Sequence, residues 1–239
     1  MQVRIDANMP RAAIQRVTAE LNALKSPSTK KERVADFFYQ KFYGVTRLTP
    51  QQLDAIDYWV RGGWGALNKA VRGLLDPGEQ ALLETIRGNI GGKDFPPATF
   101  ANRATALDGA LNALPDYAYP TFRRATYLND TVYSARIAPG DHLVDQGYTA
   151  TSTLKGAEGA GGGGGWAAGA EVYFMVHGLH GKSLIPYSAI GGEKEVLFSR
   201  GSIFQVEGIA RTGNTFLVVM RQVGALPHGV AGKNPFTGL

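Results

Sequence analysis

The feature that most constrains this chain is a change of hydrophobic spacing near Pro120. Up to Leu114, apolar residues recur every three to four positions, as in Ile14, Val17, Leu21 and Leu24 and again in Leu53, Ile56, Val60, Leu67 and Val71. That is the spacing of one face of an α-helix. After Pro120 they gather in short runs rich in Val, Ile, Phe, Tyr and Thr, bounded by Gly or Pro, which predict strands. The runs are Thr121–Tyr127, Asp130–Ile137, Gly147–Ser152, Ala170–Val176, Lys182–Ile185, Glu193–Phe198, Ser202–Gly208 and Thr215–Arg221. Helices first and strands later predict an α+β fold, with N-terminal helices packed on a mainly antiparallel β core, and not a βαβ fold.

Local signals mark the ends of the helices. Thr49-Pro-Gln-Gln52 offers an N-cap followed by a proline at the first helical position. Ser26-Pro-Ser-Thr ends the first helical run, Asp76-Pro-Gly ends the second, and Ala104–Leu114 is a further short helix stopped by Pro115. Three divisions follow: a basic helical N-terminal arm over 1–45, one domain over 46–225, and a loose C-terminal tail over 226–239 with little core-forming content.

Of the net charge of +5, most lies in the arm, where eight Lys/Arg face four Asp/Glu. Such a surplus steers a chain toward nucleic acid, anionic membrane or an acidic partner, or simply forms a solvated helix face. The absence of cysteine excludes disulfides and cysteine-based metal or nucleophile chemistry. The first residues lack the apolar core of a secretory signal, and no run approaches the roughly 18 apolar residues needed to span a bilayer. The expectation is a soluble protein.

Few motifs carry chemistry. Gly159, Gly161 and Gly164 spell G-x-G-x-x-G, but strand-like sequence follows where a dinucleotide fold requires a helix. A mobile loop is the better reading. His177 and His180 bracket a turn without a third ligand at metal-site spacing, and no G-x-S-x-G elbow is present. Glu193 and Glu195 lie two apart in Gly191-Gly-Glu-Lys-Glu-Val-Leu-Phe, so on a strand they share a face. Like charges so close need water, a cation or a ligand between them. By itself the pair reads more readily as a wet strand edge than as a site.

The surrounding sequence resembles the mono-ADP-ribosyltransferase toxins of the arginine–serine–glutamate class, the exoenzyme-type domain. Tyr119-Pro-Thr-Phe-Arg123-Arg124, then Gly147-Tyr-Thr-Ala-Thr-Ser152, then Gly192-Glu193-Lys-Glu195-Val-Leu-Phe follow that family's order of arginine strand, Ser/Thr strand and E-x-E strand. Leu48–Tyr58, Trp64–Arg72 and Ala106–Pro115 resemble its upstream helices, so the likeness spans roughly residues 48–222.

The resemblance implies a two-sheet β core and NAD as co-substrate, with no metal. It makes Glu195 the catalytic carboxylate and gives Glu193 the orientation of an acceptor guanidinium. Arg123 takes the NAD phosphates, Arg124 lies beside the nicotinamide, and Thr151 and Ser152 supply hydroxyls to the glutamate and ribose. Gly147 belongs to the same strand motif, and Asn68, with Tyr58 and Trp64, meets the adenosine half. Gly159–Gly165 covers the phosphates and nicotinamide, with Trp166 as a stacking residue. Ala150 departs from the pattern: it occupies the first serine position, so hydrogen-bond support for the glutamate must come from elsewhere.

The implied activity is transfer of ADP-ribose to a protein, at arginine, with some NAD glycohydrolase activity. RNA or DNA as acceptor is the alternative that the basic arm suggests, and a degenerate NAD-binding module is the one that Ala150 suggests. Relatives of this kind are bacterial or phage toxins and effectors, secreted, injected or active in the producing cytoplasm. A cognate inhibitor or immunity protein is then a natural partner.

Overall fold

The computed structural model describes residues 2–24, 47–86, 88–125, 131–153, 172–187 and 194–239. Five α-helices are found there: α1 Arg11–Ala23, α2 Pro50–Tyr58, α3 Trp64–Val71, α4 Pro77–Ile86 and α5 Phe100–Ala113. The first strands are β1 Gln2–Ile5, the small β2 Asn89–Ile90 and β3 Lys93–Asp94 hairpin, β4 Thr121–Ala125 and β5 His142–Val144. The remainder are β6 Thr149–Ser152, β7 Val172–His177, β8 Lys182–Ser183, β9 Glu195–Phe198, β10 Ile203–Thr212 and β11 Thr215–Val223.

Capping chemistry fixes several helix starts. Thr49 Oγ1 accepts from Gln52 N while Gln52 Oε1 accepts from Thr49 N, a reciprocal pair that opens α2 ahead of Pro50. Asp76 accepts from the Glu79 amide at 2.8 Å and Pro77 begins α4, so the Asp-Pro-Gly expected to end one helix also starts another. The run from Leu53 to Val71 is interrupted: Trp59–Gly63 forms a kink between two helices in which Gly62 has φ 112°, a conformation that favours glycine.

Nine described strands form one sheet in the order β1-β10-β11-β7-β4-β6-β9-β8, with β5 also on β10. All neighbours are antiparallel except β7 and β11. The two-sheet core expected from the resemblance is therefore continuous, but it narrows to the single pair Phe122↔Ser152 between β4 and β6.

Alternation along the strands sorts side chains onto two faces. Val172, Phe174, Val176, Val196, Phe198, Phe216, Val218 and Met220 enclose one core on the inner face. On the outer face, α1 packs Val17 and Leu21 against Ala210, Leu217 and Val219. At the other end, α2, α3 and α5 bury Ile56, Trp59, Leu67, Leu107 and Leu111 with Tyr148 and Leu197.

Several expectations change. Asp130–Ile137 is no strand where it is described: Val132–Arg136 is a π-helical turn. Val132 and Tyr133 are both buried, and neighbouring residues in a strand would point to opposite faces. The arm over 1–45 is integrated into the fold wherever it is described. β1 pairs with β10 from Gln2↔Arg211 to Ile5↔Gly208, and Arg16 bonds both oxygens of buried Glu207 at 2.8 and 2.9 Å.

The C-terminal segment is also tied down. Lys233 N donates to His142 O at 2.7 Å, Tyr133 Oη to Pro235 O at 3.0 Å and Arg136 Nη1 to Thr237 O at 2.8 Å. Phe236 packs against the inner-face core. Among the described residues, no helix is long and apolar enough to cross a membrane.

Candidate active site

Glu195 opens β9, ahead of three fully buried residues that lock the strand into the core. Its backbone carbonyl accepts from Leu184 N at 2.9 Å, and the Lys194 carbonyl accepts from Thr153 N at 2.9 Å. The register with β6 is Ser152↔Glu195, Thr151↔Val196, Ala150↔Leu197. Directly paired residues share a face, so Ser152 and Ala150 lie on the face of Glu195 while Thr151 lies behind it. The Thr151 hydroxyl is buried and donates to Val196 O at 2.7 Å, stitching β6 to β9. It does not reach the glutamate.

The Glu195 side chain is held from the helical layer. Trp59 Nε1 donates to Glu195 Oε1 at 2.8 Å, and Trp59 is only 1% exposed. Its ring stands edge-on to Tyr148, with centroids 5.3 Å apart. Tyr148 is braced in turn: its hydroxyl lies 2.7 Å from Asp108 Oδ1 and 3.0 Å from Ala104 O. Burial and then the Asp108 carboxylate push its phenol far above the ordinary range, so it remains a neutral donor.

The residues expected to meet adenosine are distributed differently. Tyr58 is in the core with the Arg103 guanidinium 4.1 Å above its ring. Trp64, one turn further along, is 52% exposed. Asn68 is buried, and both ends of its amide serve the backbone of Tyr148: Tyr148 N donates to Oδ1 at 2.8 Å and Nδ2 donates to Tyr148 O at 3.2 Å. Gly147 sits so close beneath this clamp that a Cβ there would lie 2.6 Å from Arg72 Nε and 2.7 Å from Asn68 Oδ1. A steric requirement therefore explains that glycine. Arg72 itself is paired with buried Asp145 through two bonds of 2.8 and 2.7 Å.

The two arginines part company across β4. From Phe122↔Ser152↔Glu195, Phe122 lies on the Glu195 face, and alternation brings Arg124 to that face and Arg123 to the other. Arg123 Nη1 donates to Ala150 O at 3.2 Å, and Arg123 lines a small inner cavity with Asp145, Thr149, Phe174 and Phe236. Arg124 lies over the Tyr173 ring at 4.2 Å. The guanidinium that shares a face with Glu195 is thus Arg124, while Arg123, expected at the phosphates, lies on the other face.

Phe122, Arg124, Ser152 and Glu195, all half-buried, form a strip on the outer face between α1 and the α2–α3–α5 layer. Such a strip sets a carboxylate, a hydroxyl, a guanidinium and an aromatic ring on one face of the sheet. Glu193, Gly159–Gly165 and Trp166 lie outside the described residues. Among those described, no group of three or more His, Cys, Asp or Glu could hold a metal ion. His177 instead contacts Glu20 at 3.1 Å, and His180 contacts Asp116 at 3.3 Å.

Sequence reasoning missed Trp59 although it named the aromatics on either side. The available signal was Gly62-Gly63, which marks a break in helical phase after Trp59 and so a different direction for its side chain.

Helices laid on a mainly antiparallel sheet are also the fold of solved ADP-ribosyltransferases. Among solved structures, the Vis toxin, an ADP-ribosyltransferase from Vibrio splendidus, superimposes with a TM-score of 0.67 at 20% identity, covering 92% of this chain and 98% of that one. Vis has also been solved in complex with agmatine. The Clostridium limosum C3 exoenzyme matches with a TM-score of 0.53 at 16% identity over 83% of this chain and 96% of its own. Exoenzyme S from Pseudomonas aeruginosa, bound to Carba-NAD and human 14-3-3 protein beta, matches at 0.52 and 14% identity over 76% and 80%. No protein-family model and no curated protein matches the chain in sequence.

Proposed function

We propose that this chain is an NAD-dependent mono-ADP-ribosyltransferase that modifies a protein, at arginine. The observation that carries the reading is the Glu195 carboxylate, bonded to Trp59 on the outer face beside Ser152 and on the same face as Arg124.

NAD⁺ fits such a strip by its chemistry. Its two phosphates call for a planar guanidinium, here Arg124, and its nicotinamide ribose gains positive charge as the glycosidic bond opens. The C1′–N bond breaks with its electron pair leaving on nicotinamide. A carboxylate near the ribose stabilises the oxocarbenium-like centre, as in glycoside hydrolysis. A guanidine nitrogen of the acceptor then bonds to C1′ and gives up a proton. Water in its place yields free ADP-ribose, the glycohydrolase side reaction. Glu193 is the acceptor-orienting base in this reading, and the agmatine bound by Vis is a small guanidine of that acceptor class.

Nucleic acid is the weaker acceptor. Of the three arginines in the described part of the arm, Arg16 is committed to Glu207 and Glu20 and Arg4 donates to the Tyr133 carbonyl, leaving exposed Arg11. Charge spent inside the fold does not track a phosphate backbone.

Incubating the purified chain with labelled NAD⁺ and a cell extract tests the proposal. Label is expected on protein, at arginine by mass spectrometry, and is absent with Glu195→Ala. Equal labelling by the two enzymes would sink the assignment, and label removed by nuclease but not by protease would move the acceptor to nucleic acid.

A further inference from the structure

We infer that Trp59 is the positioning residue for the Glu195 carboxylate, supplying from a helix the donor that the neighbouring strand lacks at Ala150; this role rests on the ADP-ribosyltransfer reading above. Ala150 lies on the Glu195 face of β6, paired with Leu197, one diagonal step from Glu195. A side chain there is within reach of the carboxylate, but alanine brings only a methyl group. The indole of Trp59 fills the need from the opposite wall, 2.8 Å from Oε1.

Three properties suit the indole to this task. Its N–H donates and cannot accept, so the bond forms only to an oxygen that carries no proton toward it. The ring is fully buried and edge-packed on Tyr148, whose own hydroxyl and backbone are fixed by Asp108, Ala104 and Asn68. The donor therefore cannot swing away. Finally, the kink with φ 112° at Gly62 sets the phase of α2 relative to α3, aiming Trp59 at β9 while Tyr58 enters the core and Trp64 faces outward. A pre-aimed donor spares the carboxylate a reorganisation at the moment the ribose becomes cationic.

The test compares wild type, Trp59→Phe, Ala150→Ser, the double variant and Glu195→Ala in NAD⁺ turnover and protein labelling, with thermal unfolding of each. Losing a hydrogen bond to a charged group corresponds to about a tenfold to a hundredfold fall in rate. Trp59→Phe is expected to lower kcat by that amount while KM for NAD⁺ changes less than about threefold. Adding Ala150→Ser is expected to restore kcat at least severalfold, a gain far larger than Ala150→Ser produces in the wild-type background. A purely structural tryptophan would show no such rescue.

Benzothienylalanine at position 59 keeps the ring shape and replaces N–H by sulfur, so it decides the matter where phenylalanine unfolds the chain; the same loss of kcat is expected. Unchanged kcat with either replacement, or a loss that Ala150→Ser does not repair, overturns the role of Trp59 while Glu195→Ala remains inactive. A wild-type chain that does not turn over NAD⁺ overturns the underlying reading and this role with it.

Discussion

Asn68 offers the sharpest distinction between a residue that touches ligand and one that shapes the site. Its amide gives one bond to each polar group of the Tyr148 backbone, and all four atoms are buried. Asn68→Ala strands a buried N–H and a buried C=O at once. Each orphaned group costs about 1–3 kcal/mol, so the variant is expected to lose about 2–5 kcal/mol. In a domain of this size each kcal/mol moves Tm by roughly 2–4 °C, which gives a fall of about 5–15 °C. The assay is scanning calorimetry, with kcat and KM for NAD⁺ measured well below the variant's own Tm. Under those conditions KM should remain within about threefold of wild type, while kcat falls because Tyr148 also backs Trp59. A Tm unchanged to within about 2 °C together with a large rise in KM would refute the clamp and return Asn68 to the adenosine site.

Arg124→Ala is expected to abolish labelling, by about a hundredfold or more, since it removes a phosphate partner, and to cost about 1–2 kcal/mol of stability through its lost stacking on Tyr173. Arg123→Ala should cost about 1–2 kcal/mol of stability through its bond to the Ala150 carbonyl; the reverse pattern in labelling would invalidate the register argument. Deleting residues 234–239 removes Phe236 from the inner core and the carbonyl acceptors of Tyr133 and Arg136. A loss of about 2–4 kcal/mol in denaturant unfolding is expected, and an unchanged midpoint would mean that the tail is loose after all. Burial pushes the Glu20 carboxyl up, but His177 and Arg16 more than offset this and hold it below its ordinary 4.5. A depressed acid contributes stability that is complete above 4.5 and lost as pH falls through the folded value. Glu20→Gln should therefore flatten the acid limb of the urea midpoint below that pH, and parallel limbs would disprove this contribution of the Glu20 carboxylate.

What the sequence revealed, and what it concealed, follows from how local each signal is. The Thr49 cap, the β6 and β9 runs and the β10–β11 hairpin depend on neighbours a few residues away, and they stand close to where periodicity puts them. β1 and β5 are short edge segments whose strand character comes from pairing with distant β10, so their own residues carry little of it. Asp130–Ile137 has the composition of a strand, yet Val132 and Tyr133 are drawn inward together by a core that includes Phe174 and Phe216. Thr151 and Asn68 illustrate a different limit. Both are polar residues in site-like motifs, and in both the polar atoms are consumed by backbone, which no spacing rule discloses.

The arginine pair shows why the site was harder to read than the fold. Arg123 and Arg124 have identical chemistry and adjacent positions, and a shift of one residue in a strand sends a side chain to the opposite face. Only the pairing of Phe122 with Ser152, and of Ser152 with Glu195, decides which guanidinium faces the carboxylate. The same logic explains how a strand can carry alanine at position 150 without leaving the carboxylate unsupported. Ala150 packs against the helical core that contains the Trp59–Tyr148 pair. A larger hydrophobic donor in the helical layer and a smaller residue on the strand are thus complementary, with Trp59 bonded to Glu195. The consequence is that carboxylate geometry depends on how the helices dock on the sheet as much as on the strand that carries it. Substitutions in the Trp59–Gly63 turn should therefore affect chemistry more than their distance in sequence from Glu195 suggests.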